Sequence, residues 1–266
     1  MVKCSICSSE SKLLFRRKIL QKYDIQYFAC SECGFLFTEK PYWLAEAYSE
    51  AITSTDLGLV KRNLYFSSFV EDFLLKLRDL SDNFVDYAGG YGLFVRLMRD
   101  KGFLFYRIDP FCPNLFAKGF DVDTHSEITK RFGLLTAFEV MEHLEDPISE
   151  VQKMLEYSDV ILFSTELQPT SELESWWYIS PHTGQHISFF TQESLSYIAR
   201  HLSLFFYTDK VSLHVFSRKK LLFNPFRKKS ILLDLYDKIF LKSKKKQLVS
   251  LLNSDHEMVL AKYKKP

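Results

Sequence analysis

Phe84-Val-Asp-Tyr-Ala-Gly-Gly-Tyr-Gly-Leu-Phe94 decides how this chain of 266 residues is read. An apolar run reaches Asp86, a glycine-rich turn follows, and Leu93, Phe94, Leu97 and Met98 then recur at helical spacing. Seventeen positions after Gly92, Asp109 closes a second apolar run at 103–108. Strand, glycine turn, helix, strand and terminal acid is the layout with which doubly wound α/β folds bind the adenosine end of a cofactor. The glycines let backbone amides approach the ligand, and the second acid can hold ribose hydroxyls.

The rest of the chain fits a folded protein with a real core. Hydrophobic residues make up 47% and charged residues 26%, and the 25 phenylalanines suit a sheet covered on both faces. No apolar run reaches the roughly 18 residues of a membrane helix. The N-terminus carries Cys4 and Cys7 where a signal peptide would have an apolar core, so a cytoplasmic location is expected. Net charge is only +2 but uneven. From Ser217 onward there are 14 Lys and Arg against 4 Asp and Glu, and before it 21 against 29. The basic tail (217–266) reads either as a solvated helical surface or as a surface for nucleic acid, anionic lipid or a phosphorylated substrate.

Residues 1–40 hold two C-x-x-C pairs, Cys4/Cys7 and Cys30/Cys33, separated by 22 residues. Gly34 follows the second pair, where a tight turn needs positive φ. Short strands are predicted at 13–15 and 25–28. Four thiolates from two turns can close a tetrahedral, structural zinc site, and a unit this small needs such a staple. Free or disulfide-bonded cysteines are the other reading, which a reducing compartment disfavours. Cys112 lies outside the pattern and reads as a packed residue. Residues 41–80 read as a helical bridge, with Tyr65, Phe66, Phe69, Val70, Phe73 and Leu74 near helical spacing.

Residues 81–216 alternate strand and helix patterns, which means a mostly parallel sheet between helix layers. Strands are predicted at 84–88, 103–108, 134–138, 160–163 and 204–207, with 210–217 as an antiparallel edge strand. Helices are predicted at 93–101, 146–157 and 192–202, the second starting on Asp146-Pro147. In the tail, 231–241 is apolar-periodic. The stretch from Leu134 to Pro147 places Glu139, Glu142 and His143 where the fourth strand ends, at the carboxyl edge that binds ligands in open α/β sheets.

Asp86 to Gly92, Asp109 and Glu139-Val-Met-Glu-His143 together resemble class I S-adenosylmethionine-dependent methyltransferases, over roughly residues 60–216. The resemblance implies a Rossmann-like α/β fold with a seven-stranded sheet, here with a small N-terminal zinc-binding unit. It implies that Asp86, Tyr87, Ala88, Gly90 and Gly92 hold the methionine part of S-adenosylmethionine. On the same pattern Asp109 binds the ribose, and Phe138 and Glu139 lie near the sulfonium. Ala88 departs from it, standing where the family has its first glycine.

After the fifth strand, residues 176–190 read Trp-Trp-Tyr-Ile-Ser-Pro-His-Thr-Gly-Gln-His-Ile-Ser-Phe-Phe. Aromatics and histidines crowded on one long predicted loop suit acceptor binding. A hydrophobic lid packed on the sheet is the alternative. Trp176, Trp177, Tyr178, His182 and Gln185 are the candidate acceptor-binding residues. His186, which can take a proton near neutral pH, is the candidate base, with His143 and Glu142 beside it in the catalytic set. Gln185-His186-Ile-Ser-Phe189 is similar to a stretch of zinc-containing sugar C-methyltransferases, in which the histidine is the proposed base. Gln185 replaces that family's acid, and its large additional C-terminal domain is not seen here. The resemblance implies methyl transfer to a sugar, nucleotide-linked or in a surface glycan. Two other readings stand beside it: a ribosomal or transfer RNA methyltransferase using the basic tail, and a non-catalytic protein that binds a partner through its zinc unit.

Overall fold

The computed structural model describes residues 2–48, 56–77, 82–124, 131–227, 241 and 243–263. The apolar-periodic tail segment, but for Leu241, lies outside them. The chain divides into two compact units, Met1–Thr53 with Thr136–Phe226, and Ser54–Leu135 with Arg227–Pro266. Among the described residues there are two sheets.

The first sheet has the order β1-β2-β3-β4-β9. Its strands are β1 (Val2–Lys3), β2 (Glu10–Ile19), β3 (Tyr23–Cys30), β4 (Leu36–Thr38) and β9 (Ser188–Phe189). The two short strands predicted at 13–15 and 25–28 are thus parts of a long hairpin, antiparallel from Ser11↔Cys30 to Ile19↔Tyr23. Strand β9 comes from far along the chain and pairs with β4 through Leu36↔Phe189 and Phe37↔Ser188. The sheet's core is shared in the same way: Ile19, Tyr27 and Trp43 bury themselves against Tyr178, Ile187 and Phe189. A short sheet with so little apolar area of its own gains a core by recruiting residues 178–189.

The second sheet has the order β10-β11-β8-β7-β5-β6. Its strands are β5 (Phe84–Tyr87), β6 (Phe105–Ile108), β7 (Leu134–Ala137), β8 (Val160–Ser164), β10 (Phe205–Thr208) and β11 (Leu213–Ser217). Strands β5 and β6 are parallel, with Asp86 opposite Arg107, while β8, β11 and β10 pair antiparallel. This is the mixed α/β sheet that the resemblance implies, with six strands among the described residues where seven were expected. Beyond β6 the remaining position is held by a single parallel bridge, Arg107↔Asp121. Strand β11 is antiparallel as expected but is not at the edge. It lies between β10 and β8, and β10 takes the edge. All five β11 residues are buried, which an edge position would not provide.

Among the described residues the helices are α1 (Leu44–Ala47), α2 (Leu59–Lys76), α3 (Leu93–Asp100), α4 (Pro147–Tyr157), α5 (Gln192–His201) and α6 (Leu252–Tyr263). The predicted bridge over 41–80 contains α1 and α2, and α2 packs on α3 with Phe66, Val70, Phe73 and Leu74 buried. Asp146 caps α4 by accepting from the Ser149 amide, with Pro147 in the first turn. Part of the basic tail is held by its own unit. Lys245 pairs with Glu71 and Asp72, and Lys244 donates to the Leu75 carbonyl. Buried Arg99 makes a two-pronged pair with Asp255 of α6 at 2.8 and 2.7 Å. These side chains tie that portion of the tail to the fold of its own unit.

Candidate functional site

The unit Ser54–Leu135/Arg227–Pro266 carries the glycine turn. Strand β5 ends at Tyr87, and Ala88 then takes φ +53°, in the left-handed region. That conformation costs a non-glycine residue on the order of 1 kcal/mol, and it explains why the family places glycine there. Ala88→Gly is expected to raise the unfolding free energy by about 1 kcal/mol, read as a higher denaturant midpoint. An unchanged or lower midpoint would mean that the turn carries no such strain.

Gly90 also has positive φ, and a Cβ built on it meets nothing within 4 Å, so its backbone borders open space. Gly92 at φ +84° is different. A Cβ there would lie 2.6 Å from Asn114 Oδ1 and 3.3 Å from the Ala117 amide, so only glycine fits. Asp109 accepts from the Gly90 amide through Oδ2 and from the Phe111 and Cys112 amides through Oδ1. It therefore fixes the glycine turn to the loop after β6. Its Oδ2 keeps acceptor capacity for a hydroxyl. An open glycine backbone beside a buried Asp86 and a loop-tying Asp109 fits an adenosine cofactor.

The sequence reading did not single out Arg107. It is buried on β6 and donates to the carbonyls of Gly90 and Cys112 and to Asp121 Oδ1. Its signal was present as a basic residue inside an apolar strand, but nothing in the sequence disclosed the partners. Cys112 is half-buried, and burial pushes its thiol up, as suits a packed residue.

The unit Met1–Thr53/Thr136–Phe226 carries the other candidates. Glu139 follows β7 with φ +55° and is locked by Ser164. The Ser164 hydroxyl accepts from the Glu139 amide at 2.8 Å and donates to its Oε1 at 2.6 Å. A strained acid directly after a strand is typical of functional edges. Phe138 lies on the same turn. Glu142 and His143 follow on a short helical turn, Met141–His143.

The structure brings Glu142, His143 and His186 together. A carboxylate oxygen and one nitrogen of each ring lie within 4.8 Å of one another. The histidine rings meet edge to face at 5.0 Å. His143 Nδ1 is 3.0 Å from the Gln185 carbonyl, and His186 Nδ1 is 2.6 Å from the Tyr178 carbonyl. Glu142 is fully buried. Burial first, then the charge of Glu139, pushes its carboxyl well above the usual range. Burial pushes His143 down to about 4, so its imidazole is neutral at neutral pH. Sequence reading placed Glu142 and His143 at a strand end and His186 in a loop; their meeting is a tertiary fact.

The predicted loop 176–190 is largely core. Tyr178 is buried, its ring 4.6 Å from that of His186. Gln185 is buried and donates to the Ala47 carbonyl. Trp176 packs against the first sheet's core. His182 is exposed on a turn. Trp177, 70% exposed, presents its indole outward beside Tyr178.

The four cysteines converge as well, with Sγ atoms within 4.8 Å of one another. Cys4 and Cys33 are 3.7 Å apart and Cys7 and Cys30 3.3 Å. Zinc–sulfur bonds of about 2.3 Å in a tetrahedron set sulfurs about 3.8 Å apart. In each pair the residue after the second cysteine, Ser8 or Gly34, has positive φ and donates to the first cysteine's carbonyl. Two matching turns with this donor set fit zinc.

A glycine turn, an acid after β6 and a mixed α/β sheet mark a domain built to hold an adenosine cofactor. The methyltransferase-domain family model matches residues 61–202. The chain belongs to this family and is an S-adenosylmethionine-dependent methyltransferase. None of the curated proteins compared with it matches. Among solved structures it is similar to the plantazolicin methyltransferase BpumL in complex with a monoazolic desmethylPZN analog and SAH. That alignment has 10% identity and TM-score 0.47, covering 66% of this chain and 93% of that one. It is also similar to an O-methyltransferase family protein from Burkholderia thailandensis, at 10% identity and TM-score 0.43 over 67% and 68% of the two chains. A methyltransferase of Thermotoga maritima aligns at 12% identity and TM-score 0.43, over 66% and 100%. No helix among the described residues is long and apolar enough to cross a membrane.

Proposed function

We propose that this enzyme methylates a sugar, nucleotide-linked or within a glycan, and that His186 takes the acceptor's proton. S-adenosylmethionine supplies a methyl group on a sulfonium; the acceptor oxygen or carbon gains it as the carbon–sulfur bond breaks, leaving a neutral thioether and one proton to be removed. The observation that supports the reading most is the run of rings from exposed Trp177 through Tyr178 to His186. An exposed indole suits the apolar face of a sugar. His186 at the end of the run, with its Nδ1 proton committed to the Tyr178 carbonyl, offers Nε2 to an acceptor hydroxyl.

On the cofactor side, Asp109 would bind the ribose hydroxyls, and Asp86, Tyr87, Ala88, Gly90 and Gly92 the methionine part. Phe138 and Glu139 would lie near the reacting methyl. Asp109→Ala should weaken S-adenosylhomocysteine binding by about 10- to 100-fold, the worth of a hydrogen bond to a charged group, as read by calorimetry. Unchanged affinity would remove Asp109 from the cofactor site. Cys4, Cys7, Cys30 and Cys33 would hold a structural zinc.

The acidic balance before Ser217 favours a small or localised acceptor, while the tail's 14 basic residues keep RNA as the second reading. Equilibrium binding separates the two. Nucleotide sugars should bind with weak dependence on salt. Binding to RNA that falls steeply with salt, with no binding of nucleotide sugars, would transfer the assignment to RNA.

A further inference from the structure

We propose that Glu142, His143 and His186 form a binding site for a first-row divalent cation, separate from the four-cysteine centre. All three lie in one unit, and a carboxylate oxygen and one nitrogen of each ring already converge within 4.8 Å. Metal bonds of about 2.0–2.2 Å to nitrogen and oxygen need only a modest contraction of that triangle.

Both histidines are oriented as metal ligands are. A carbonyl oxygen only accepts, so the contacts of His143 Nδ1 with Gln185 O and of His186 Nδ1 with Tyr178 O place a proton on each Nδ1. The ring lone pair is then on Nε2 in both. Backbone carbonyls that fix the tautomer and aim of a histidine are the usual outer support of metal sites. The Tyr48 hydroxyl, 2.9 Å from His143 Nδ1, adds a second hold.

Glu142 provides the independent sign. It is fully buried, and neither carboxylate oxygen has a hydrogen-bond partner at normal geometry. Thr165 and Tyr178 lie near it, and because one of their hydroxyls donates to the other at 3.5 Å, at most one hydroxyl proton is left for the two oxygens of Glu142. A buried carboxyl group without partners is costly unless something compensates it. A cation held jointly with two imidazoles would do so. Two histidines and one carboxylate, with positions left open, suit Mn²⁺, Fe²⁺, Co²⁺ or Zn²⁺. His143 and His186 are only half-buried, which leaves room for an acceptor oxygen.

The cation's catalytic role rests on the proposed function; its binding does not. An acceptor hydroxyl bound to the ion would lose its proton more readily. The proton would pass to water as the oxygen–methyl bond forms; the base role proposed for His186 is that of the ion-free protein.

Mn²⁺ is the probe, because thiolates that hold zinc select softer ions. Zinc-loaded protein is titrated with Mn²⁺ and followed by electron paramagnetic resonance. The wild type should bind one Mn²⁺ per chain. Glu142→Gln and, separately, His143→Gln should weaken it roughly tenfold or more, with thermal unfolding confirming that each variant is folded. If one variant does not fold, the other serves. No Mn²⁺ binding by the wild type, or equal affinity in a folded variant, would overturn the site. Mn²⁺ binding without methyl transfer to any sugar would keep the site and remove the sugar reading. Sugar methylation by wild type that binds no Mn²⁺ would do the reverse.

Discussion

His186→Ala is expected to lower kcat by about 10²- to 10⁴-fold, the usual contribution of a positioned proton acceptor, and to leave S-adenosylhomocysteine affinity unchanged. His186 sits among Tyr178, Glu142 and His143, none of which is proposed to hold the cofactor. Loss of the imidazole should therefore appear in turnover and not in cofactor binding. Whether His186 accepts the proton itself or holds a cation that promotes its loss, the direction is the same, and the Mn²⁺ titration separates the two. Single-turnover kinetics with calorimetry checks the result. Full activity in the variant would remove His186 from the chemistry.

Cys4→Ser or Cys30→Ser is expected to unfold the first sheet. Structural zinc contributes on the order of 10 kcal/mol to small domains, more than strands β1 to β4 can replace. The damage should extend beyond residues 1–40, because β9 pairs with β4 and Tyr178, Ile187 and Phe189 share that sheet's core. Tyr178 also supplies the carbonyl that orients His186. Loss of the proposed zinc should thus reduce turnover as well as stability. Zinc content, thermal unfolding and turnover of each variant are the readouts. A folded, active, zinc-free variant would contradict both the metal site and this coupling.

The parts of the fold carried by local pattern were legible in the sequence. Residues 84–94 announced a strand, turn and helix because apolar period and glycine chemistry are local signals. Asp146-Pro147 marked the start of α4 for the same reason. Long-range pairing was not legible. The stretch 176–190 looked like a loop because its histidines, glycine and serines interrupt any period. Yet β9 closes the first sheet, and Tyr178 and Ile187 fill its core. The sequence also suggested an edge for β11, since an antiparallel last strand usually adds outside. Its complete burial between β8 and β10 is set by tertiary pairing.

The candidate site was legible in a similar way. Glu142, His143 and His186 could each be singled out by residue type, and Asp109 by its position after a strand. That Gln185 and Tyr178 act through backbone carbonyls is invisible in side-chain identity. The same holds for Ala88. Its departure from glycine was readable, but only the backbone shows that alanine accepts a left-handed conformation there.

The central claim is methyl transfer to a sugar. It is tested most directly by incubating the zinc-loaded protein with methyl-labelled S-adenosylmethionine and a panel of nucleotide sugars, glycans and RNA. The expected result is label in a sugar fraction, with S-adenosylhomocysteine formed in equal amount and both lost in His186→Ala. Label in RNA alone, or S-adenosylhomocysteine formation indifferent to every sugar offered, would contradict it.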